Sequence, residues 1–174
     1  LGLNTCCFTR RWEMGTNWCL LTKQSGFDYI QIDSDGLDPF FSGDKEYLLD
    51  EARSIRKDAG LNELEITDYF TGMAPYRFHG LSHTNASPRE RMKQWILDAM
   101  DLTVAMGAGM LGGRFNAFSV ETLANPDSLK TQRHLTVEYY RDLARIGKEK
   151  GVTTINVEQM YVPSLEPSTL DQAD

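Results

Sequence analysis

Thr153-Thr154-Ile155-Asn156-Val157-Glu158-Gln159-Met160 is a strand-like run ending in a carboxylate, and it follows a helix-like stretch closed by Lys150-Gly151. A strand entered directly from a helix is the building unit of a parallel sheet, and repeating strand-helix folds place their chemistry at the C-terminal tips of the strands. Glu158 therefore reads as a catalytic base or a metal ligand. The plainer alternative is a rim carboxylate paired with a nearby Lys or Arg. The functional reading is preferred because the run before Glu158 is rich in Val and Ile, and a buried carboxylate needs a partner such as a cation.

The same unit recurs upstream. Residues 1–8, 28–33, 61–70, 108–114 and 152–160 read as strands, and residues 16–26, 42–59, 87–106 and 131–150 as helices. Thr16 or Asn17 caps the first helix and Gly26 stops it. Leu48, Leu49, Ala52 and Ile55 mark the inner face of the second helix, which Gly60 stops, and Leu64, Ile66 and Tyr69 are the expected core contacts of the third strand. Ser87-Pro88-Arg89-Glu90 spells a helix start: a cap, a proline in the first turn and an acid three residues beyond the cap. Asn125-Pro126-Asp127 falls in a long loop, and Leu135, Tyr139, Leu143 and Ile146 face inward on the last helix.

Strands alternating with helices of this length imply right-handed crossovers and a parallel sheet. Two architectures satisfy this: an open doubly wound sheet, and the first five units of an eight-stranded (β/α)8 TIM barrel. The connections after strands two, three and four are long and carry Asp, His, Arg, Pro and aromatic residues, whereas the helix-to-strand connections are short. That polarity selects the barrel, whose active face is built from the loops after its strands. The chain opens on strand-like Leu1-Gly2-Leu3-Asn4-Thr5-Cys6 and closes on Ser168-Thr169-Leu170-Asp171-Gln172-Ala173-Asp174, which resembles a helix start. The expectation is a single, incomplete domain over residues 1–174, the N-terminal part of a longer barrel.

With 174 residues, 41% hydrophobic and 25% charged, the chain has the composition of a globular domain with a buried core. A net charge of -7, with no basic block beyond Arg10-Arg11 and residues 53–57, argues against a nucleic-acid surface and for a small-molecule partner. No run approaches the length of a membrane span and no leader pattern opens the chain, so the expected location is cytoplasmic. Cys6, Cys7 and Cys19 form neither a disulfide framework nor a zinc spacing.

Several strings imitate motifs. Gly107-Ala108-Gly109-Met110-Leu111-Gly112 matches GxGxxG, but the helix precedes the glycines, so a helix C-cap followed by a packed strand is the better reading. Asp33-Ser34-Asp35-Gly36-Leu37-Asp38 has the composition of a calcium loop without its glycine position or closing glutamate, and reads as a turn. Asn85-Ala86-Ser87 is a glycosylation triplet by letters and a helix start by context. His79 and His83 stand four apart in a loop, where solvated side chains are the rule and a contact to a phosphate or hydroxyl is the functional alternative. Arg114 reads as a rim charge or as an anion contact at the tip of the fourth strand. Asn4, Gln31 and Asp33 sit near the tips of the first two strands and are further candidates to line the mouth.

Leu3-Asn4-Thr5-Cys6, Phe70-Thr71-Gly72-Met73-Ala74-Pro75-Tyr76, Met110-Leu111-Gly112-Gly113-Arg114 with Ala117-Phe118-Ser119-Val120, and Asn156-Val157-Glu158-Gln159-Met160 together resemble the xylose-isomerase-like barrel superfamily of sugar-phosphate isomerases and epimerases. Within it the likeness is to erythrulose-phosphate 3-epimerases. The resemblance implies a (β/α)8 barrel in which a divalent cation, Mn²⁺ or Mg²⁺ first and Co²⁺ or Zn²⁺ second, bridges a ketose carbonyl and a neighbouring hydroxyl. It further implies two glutamates on opposite faces of the sugar that remove and return a proton through an enediolate. Glu158 matches the first of these, as base and metal ligand together. Asn4, Cys6, Gln31, His83 and Arg114 are the expected substrate-binding residues.

The remaining ligands that the resemblance implies, an aspartate, a histidine and the second glutamate, belong to the sixth to eighth strands. The isolated chain is accordingly expected to be inactive. Alternatives are a hydroxypyruvate or aldose-ketose isomerase, a DNA-repair endonuclease on the same fold, which three histidines and a charge of -7 disfavour, and a non-catalytic binding protein. The expected partner is a ketose or ketose phosphate, with no nucleic acid and no membrane; a homo-oligomer is allowed on base rates alone.

Overall fold

The computed structural model describes residues 1–72 and 77–172, with Arg10 described by its main chain alone. Five strands, β1 (Gly2–Asn4), β2 (Tyr29–Asp33), β3 (Glu65–Phe70), β4 (Met110–Gly113) and β5 (Thr154–Val157), pair in parallel in the order β1-β2-β3-β4-β5. A doubly wound sheet reverses its strand order at a switch point, whereas a barrel adds each strand beside the last. The sequential order is that of a TIM barrel over its first five units. Among the described residues no helix is long and apolar enough to cross a membrane.

The helices between the strands are α1 (Gly15–Gln24), α2 (Lys45–Leu61), α3 (Ala86–Ala105), a short α4 (Val120–Ala124) and α5 (Pro126–Lys150). They cover one face of the sheet. Ile30, Ile32, Tyr69 and Leu111 leave the strands on that face and pack with Ala52, Ile55, Ile96, Ala99, Met100 and Leu143 in one core. Alternation along each strand then turns Asn4, Gln31, Asp68, Gly112 and Asn156 to the opposite, concave face.

Several boundaries differ from those read in the sequence, each for a local reason. The first strand ends at Asn4, because the Asn4 side chain accepts from the Cys6 amide at 2.6 Å and starts a 3-10 helix over Thr5–Arg11. Met14 rather than Thr16 or Asn17 precedes α1, with no side-chain cap. Asp44 caps α2 by accepting from the Tyr47 amide at 2.9 Å, so the helix begins three residues after the expected Ser42, and Gly60 lies inside that helix, which Asn62 closes. Asn85 caps α3 two residues ahead of Ser87. Asn125 caps α5 with Pro126 in its first turn, so the helix begins five residues before the expected Thr131. Gly107, at φ +77°, follows the end of α3 and leads into β4, as the reading of the glycine string as a C-cap requires. The terminal Ser168 region forms a short 3-10 turn over Leu170–Gln172, while Ala173 and Asp174 lie outside the described residues, as does the 73–76 part of the Phe70–Tyr76 string.

One irregularity shapes the concave face. Ile30 pairs with Ile66, but Ile32 pairs with Tyr69, so β3 holds two residues, Thr67 and Asp68, against the single Gln31 of β2. This bulge reverses the parity of β3 beyond Ile66. Tyr69 turns into the helix-side core and Asp68 to the concave face.

Candidate functional site

The concave face of β1, β2 and β3 carries a connected row of polar side chains. Gln31 Nε2 donates to Asp68 Oδ1 and Oδ2 at 3.0 and 2.8 Å, Thr67 Oγ1 donates to Asp68 Oδ1 at 2.7 Å, and Gln31 Oε1 accepts from Asn4 Nδ2. Asp68 is only 4% exposed, and Gly112 on the neighbouring strand leaves room for it: a Cβ at Gly112 would stand 3.1 Å from Asp68 Oδ2. Asn4 and Gln31, both expected at the mouth, are brought together here and are half-buried.

Asp33 follows on the same strand and is also 4% exposed. Its main-chain N–H donates to Thr5 Oγ1 at 2.8 Å, and its Oδ1 accepts from the Asp35 amide at 2.8 Å, which makes the Asp33–Asp35 string a side-chain-closed turn. Burial pushes the Asp33 carboxyl up to about 6; the Asp35 amide and Asn4 oppose the rise by hydrogen bonding, while the charges of Asp35 and Glu158 add to it. Cys6 lies beside this group. Its thiol is raised, by burial first and then by Asp33, Cys7 and Asp35, so it is held as a neutral thiol rather than a nucleophilic thiolate.

Glu158 occupies a different setting. Its amide continues the β4–β5 ladder by donating to the Gly113 carbonyl at 3.0 Å, which places it at the tip of β5, but the residue is exposed. The apolar run before it is not buried as the sequence suggested: Thr154, Asn156 and Val157 are exposed and Ile155 is half-buried, because β5 is the edge strand of the sheet. What fixes Glu158 is its main chain. Arg114 is fully buried, and its guanidinium donates to the Glu158 carbonyl and, at 2.8 Å, to the Glu166 carbonyl. Gly113, at φ +119°, brings the chain so close to Thr71 that no Cβ fits, and Thr71 Oγ1 accepts from the Arg114 amide at 2.9 Å. Arg114 thus anchors the tip from behind.

His83 belongs to a third place. With His79, Ser82, Thr84, Ser119, Glu121 and Thr122 it lines a hollow of about 190 Å³. The two imidazoles stand 5.8 Å apart between ring centres, and His83 Nδ1 accepts from the Asn85 amide at 2.9 Å. Neither histidine joins the row on the concave face. Asp68 was missed by the sequence reading, although a signal for it existed: Ile66 and Tyr69 are both core residues three apart, a spacing that a regular strand cannot satisfy.

Among the described residues no three His, Cys, Asp or Glu side chains converge as a metal site requires. The donors present therefore do not fit a divalent cation by themselves. Glu158 offers one carboxylate, and Asp33 is tied to an amide of its own turn.

Residues 19–174 match the sequence profile of the family described as xylose isomerase-like TIM barrel. No curated protein matches the chain. Among solved structures, a candidate xylose isomerase from Rhodospirillum rubrum ATCC 11170 superposes with a TM-score of 0.92 at 24% identity, over 99% of this chain and 58% of its own. The D-psicose 3-epimerase of Clostridium cellulolyticum H10 gives 0.68 at 17% identity over 91% and 52%, and the D-allulose 3-epimerase of a Methylomonas species 0.67 at 17% over 90% and 49%. The chain spans about half the length of these solved relatives, which share its fold and are named as sugar isomerases or ketose 3-epimerases. With a sequence match over most of its length and a sheet of the barrel's order, the chain belongs to the xylose isomerase-like TIM barrel family.

Proposed function

We propose that these five units form one wall of the active site of a sugar isomerase or epimerase, a ketose 3-epimerase in the first instance, with an erythrulose phosphate as the substrate the sequence likeness favours. The observation that supports it best is the position of Glu158 at the tip of β5, exposed, held by Arg114 through its main chain, and near enough to the β2 end of the sheet for its charge to act on Asp33. In this reading Glu158 removes the proton beside the ketose carbonyl, the C–H electron pair becomes a double bond to the carbonyl carbon while the carbonyl π pair moves onto its oxygen to give an enediolate, and a proton returned to the opposite face of the same carbon, as the pair on oxygen re-forms the carbonyl, inverts it. Asn4, Cys6 and Gln31 line the wall against which the sugar lies. A divalent cation such as Mn²⁺ or Mg²⁺ would need ligands beyond Glu158 to be held here.

The likeness to the Rhodospirillum rubrum protein supports a second reading, an aldose-ketose isomerase, in which the proton returns to the neighbouring carbon. One experiment separates the two. Ketoses and ketose phosphates incubated with the full-length protein in D₂O incorporate deuterium at the carbon beside the carbonyl, and the product is the C3 epimer in the first reading and an aldose in the second. Absence of exchange with every ketose tried contradicts both.

A further inference from the structure

Beyond Glu158 the chain doubles back on itself. Residues 166–168 lie beside residues 158–160: the Met160 amide donates to the Pro167 carbonyl at 3.2 Å, Gln159 Nε2 donates to the Ser168 carbonyl at 2.8 Å, and Arg114 spans the two limbs through the carbonyls of Glu158 and Glu166. The turn between the limbs is tied to the body at Ser164, whose carbonyl accepts from the Phe118 amide at 2.7 Å, and by the buried Leu165. The return limb has a further tether. Arg133, on α5, donates to the Glu166 carboxylate from two nitrogens, Nε to Oε2 at 2.8 Å and Nη2 to Oε1, the planar fork in which a guanidinium fits a carboxylate. Glu166 is thus held by two arginines from two elements: Arg114, just beyond β4, on its carbonyl, and Arg133 on its side chain.

Both carboxylate oxygens of Glu166 are taken by Arg133, so this acid is engaged within the protein rather than presented to a ligand. The Arg133 side chain is 48% exposed and that of Glu166 15%, and a pair so open to water adds little to global stability. What it does is fix the path of the loop. Because Glu158 is exposed, the aim of its carboxylate follows from where its main chain is set. Building on the role proposed above for Glu158 as the base, we infer that Glu166 and Arg133 are positioning residues for it. Arg133 fixes Glu166, the Glu166 carbonyl fixes one arm of Arg114, and the other arm of Arg114 holds the Glu158 main chain.

The test compares Arg133→Ala, Glu166→Ala and the double variant in the full-length protein, by kinetics with a ketose that exchanges in D₂O, by amide hydrogen exchange over residues 158–168 and by thermal unfolding. Each single variant lowers kcat about tenfold and leaves KM within about twofold of wild type, as expected when a base is displaced and binding is kept. The two residues act through one contact, so the double variant falls no further than either single. Amide exchange across the loop quickens by about tenfold in all three, while Tm stays within roughly 2 °C of wild type. A merely structural pair would not divide kcat from KM in this way. Wild-type kcat in both single variants overturns the positioning role, and unchanged exchange overturns the tether itself. A double variant well below both singles overturns their action through one contact. A wild type inactive on every ketose counts against the base assigned to Glu158 instead, and hydrogen exchange still decides whether Arg133 and Glu166 fasten the loop.

Discussion

The two sides of the concave face hold their carboxylates in opposite ways. On β2 and β3, Asp33 and Asp68 are each 4% exposed and are tied to amides, hydroxyls and main-chain N–H groups. On β5, Glu158 is exposed, and its main chain, not its side chain, is what the protein grips. Buried carboxylates shape a wall and pay for that with restricted chemistry; an exposed one on a clamped backbone keeps both its charge and its reach. In the function proposed above, the reactive group belongs to β5 and the recognising surface to β1–β3.

The clamp is the place where this comparison breaks most readily. Arg114→Met removes the donors to the Glu158 and Glu166 carbonyls inside a fully buried site. The expected loss is about 3 kcal/mol of stability, measured by urea unfolding. A loss below about 0.5 kcal/mol, the size of an ordinary surface substitution, means that the tip of β5 is held by something else.

Asp33 sharpens the other side of the comparison. Its carboxyl titrates near 6 in the fold against an ordinary value of 3.8, so the folded state binds the proton more tightly than the unfolded chain. The stability it contributes is therefore complete below about pH 4 and is lost as pH rises through about 6. Asp33→Asn, which keeps an acceptor for the Asp35 amide, should raise stability at pH 8 by about 2 kcal/mol and change it little at pH 4. Equal effects at both pH values would show that Asp33 is not held out of its ordinary range. Glu158→Gln, at an exposed position, gives the smallest change, within about 0.5 kcal/mol by the same unfolding measurement.

Much of this arrangement is legible in the sequence. The alternation of strand-like and helix-like stretches, with the long loops on one side, predicts the sequential parallel sheet, and Asn4 and Gln31, read as neighbours near the ends of the first two strands, are register partners, with Asn4 ending β1 and Gln31 in the middle of β2. The helix start at Asn125-Pro126-Asp127 is equally written there, as a cap followed by a proline in the first turn, and the loop reading missed it. Other features depend on three-dimensional context. The burial of Arg114 follows from Gly113 and Thr71 drawing the chain inward, and the exposure of Glu158 from β5 lying at the sheet edge. Asp68 stands between the two cases, since the three-residue spacing of Ile66 and Tyr69 marks the bulge but not what the bulge turns inward.

The most direct test of the account is deuterium incorporation from D₂O at the carbon beside the carbonyl of a ketose, followed by NMR for the full-length wild type and its Glu158→Gln variant. The account predicts exchange in the wild type and a fall of at least about a hundredfold in a variant that remains as stable as the parent. Exchange at the wild-type rate in Glu158→Gln would contradict it, and would return Glu158 to the rim.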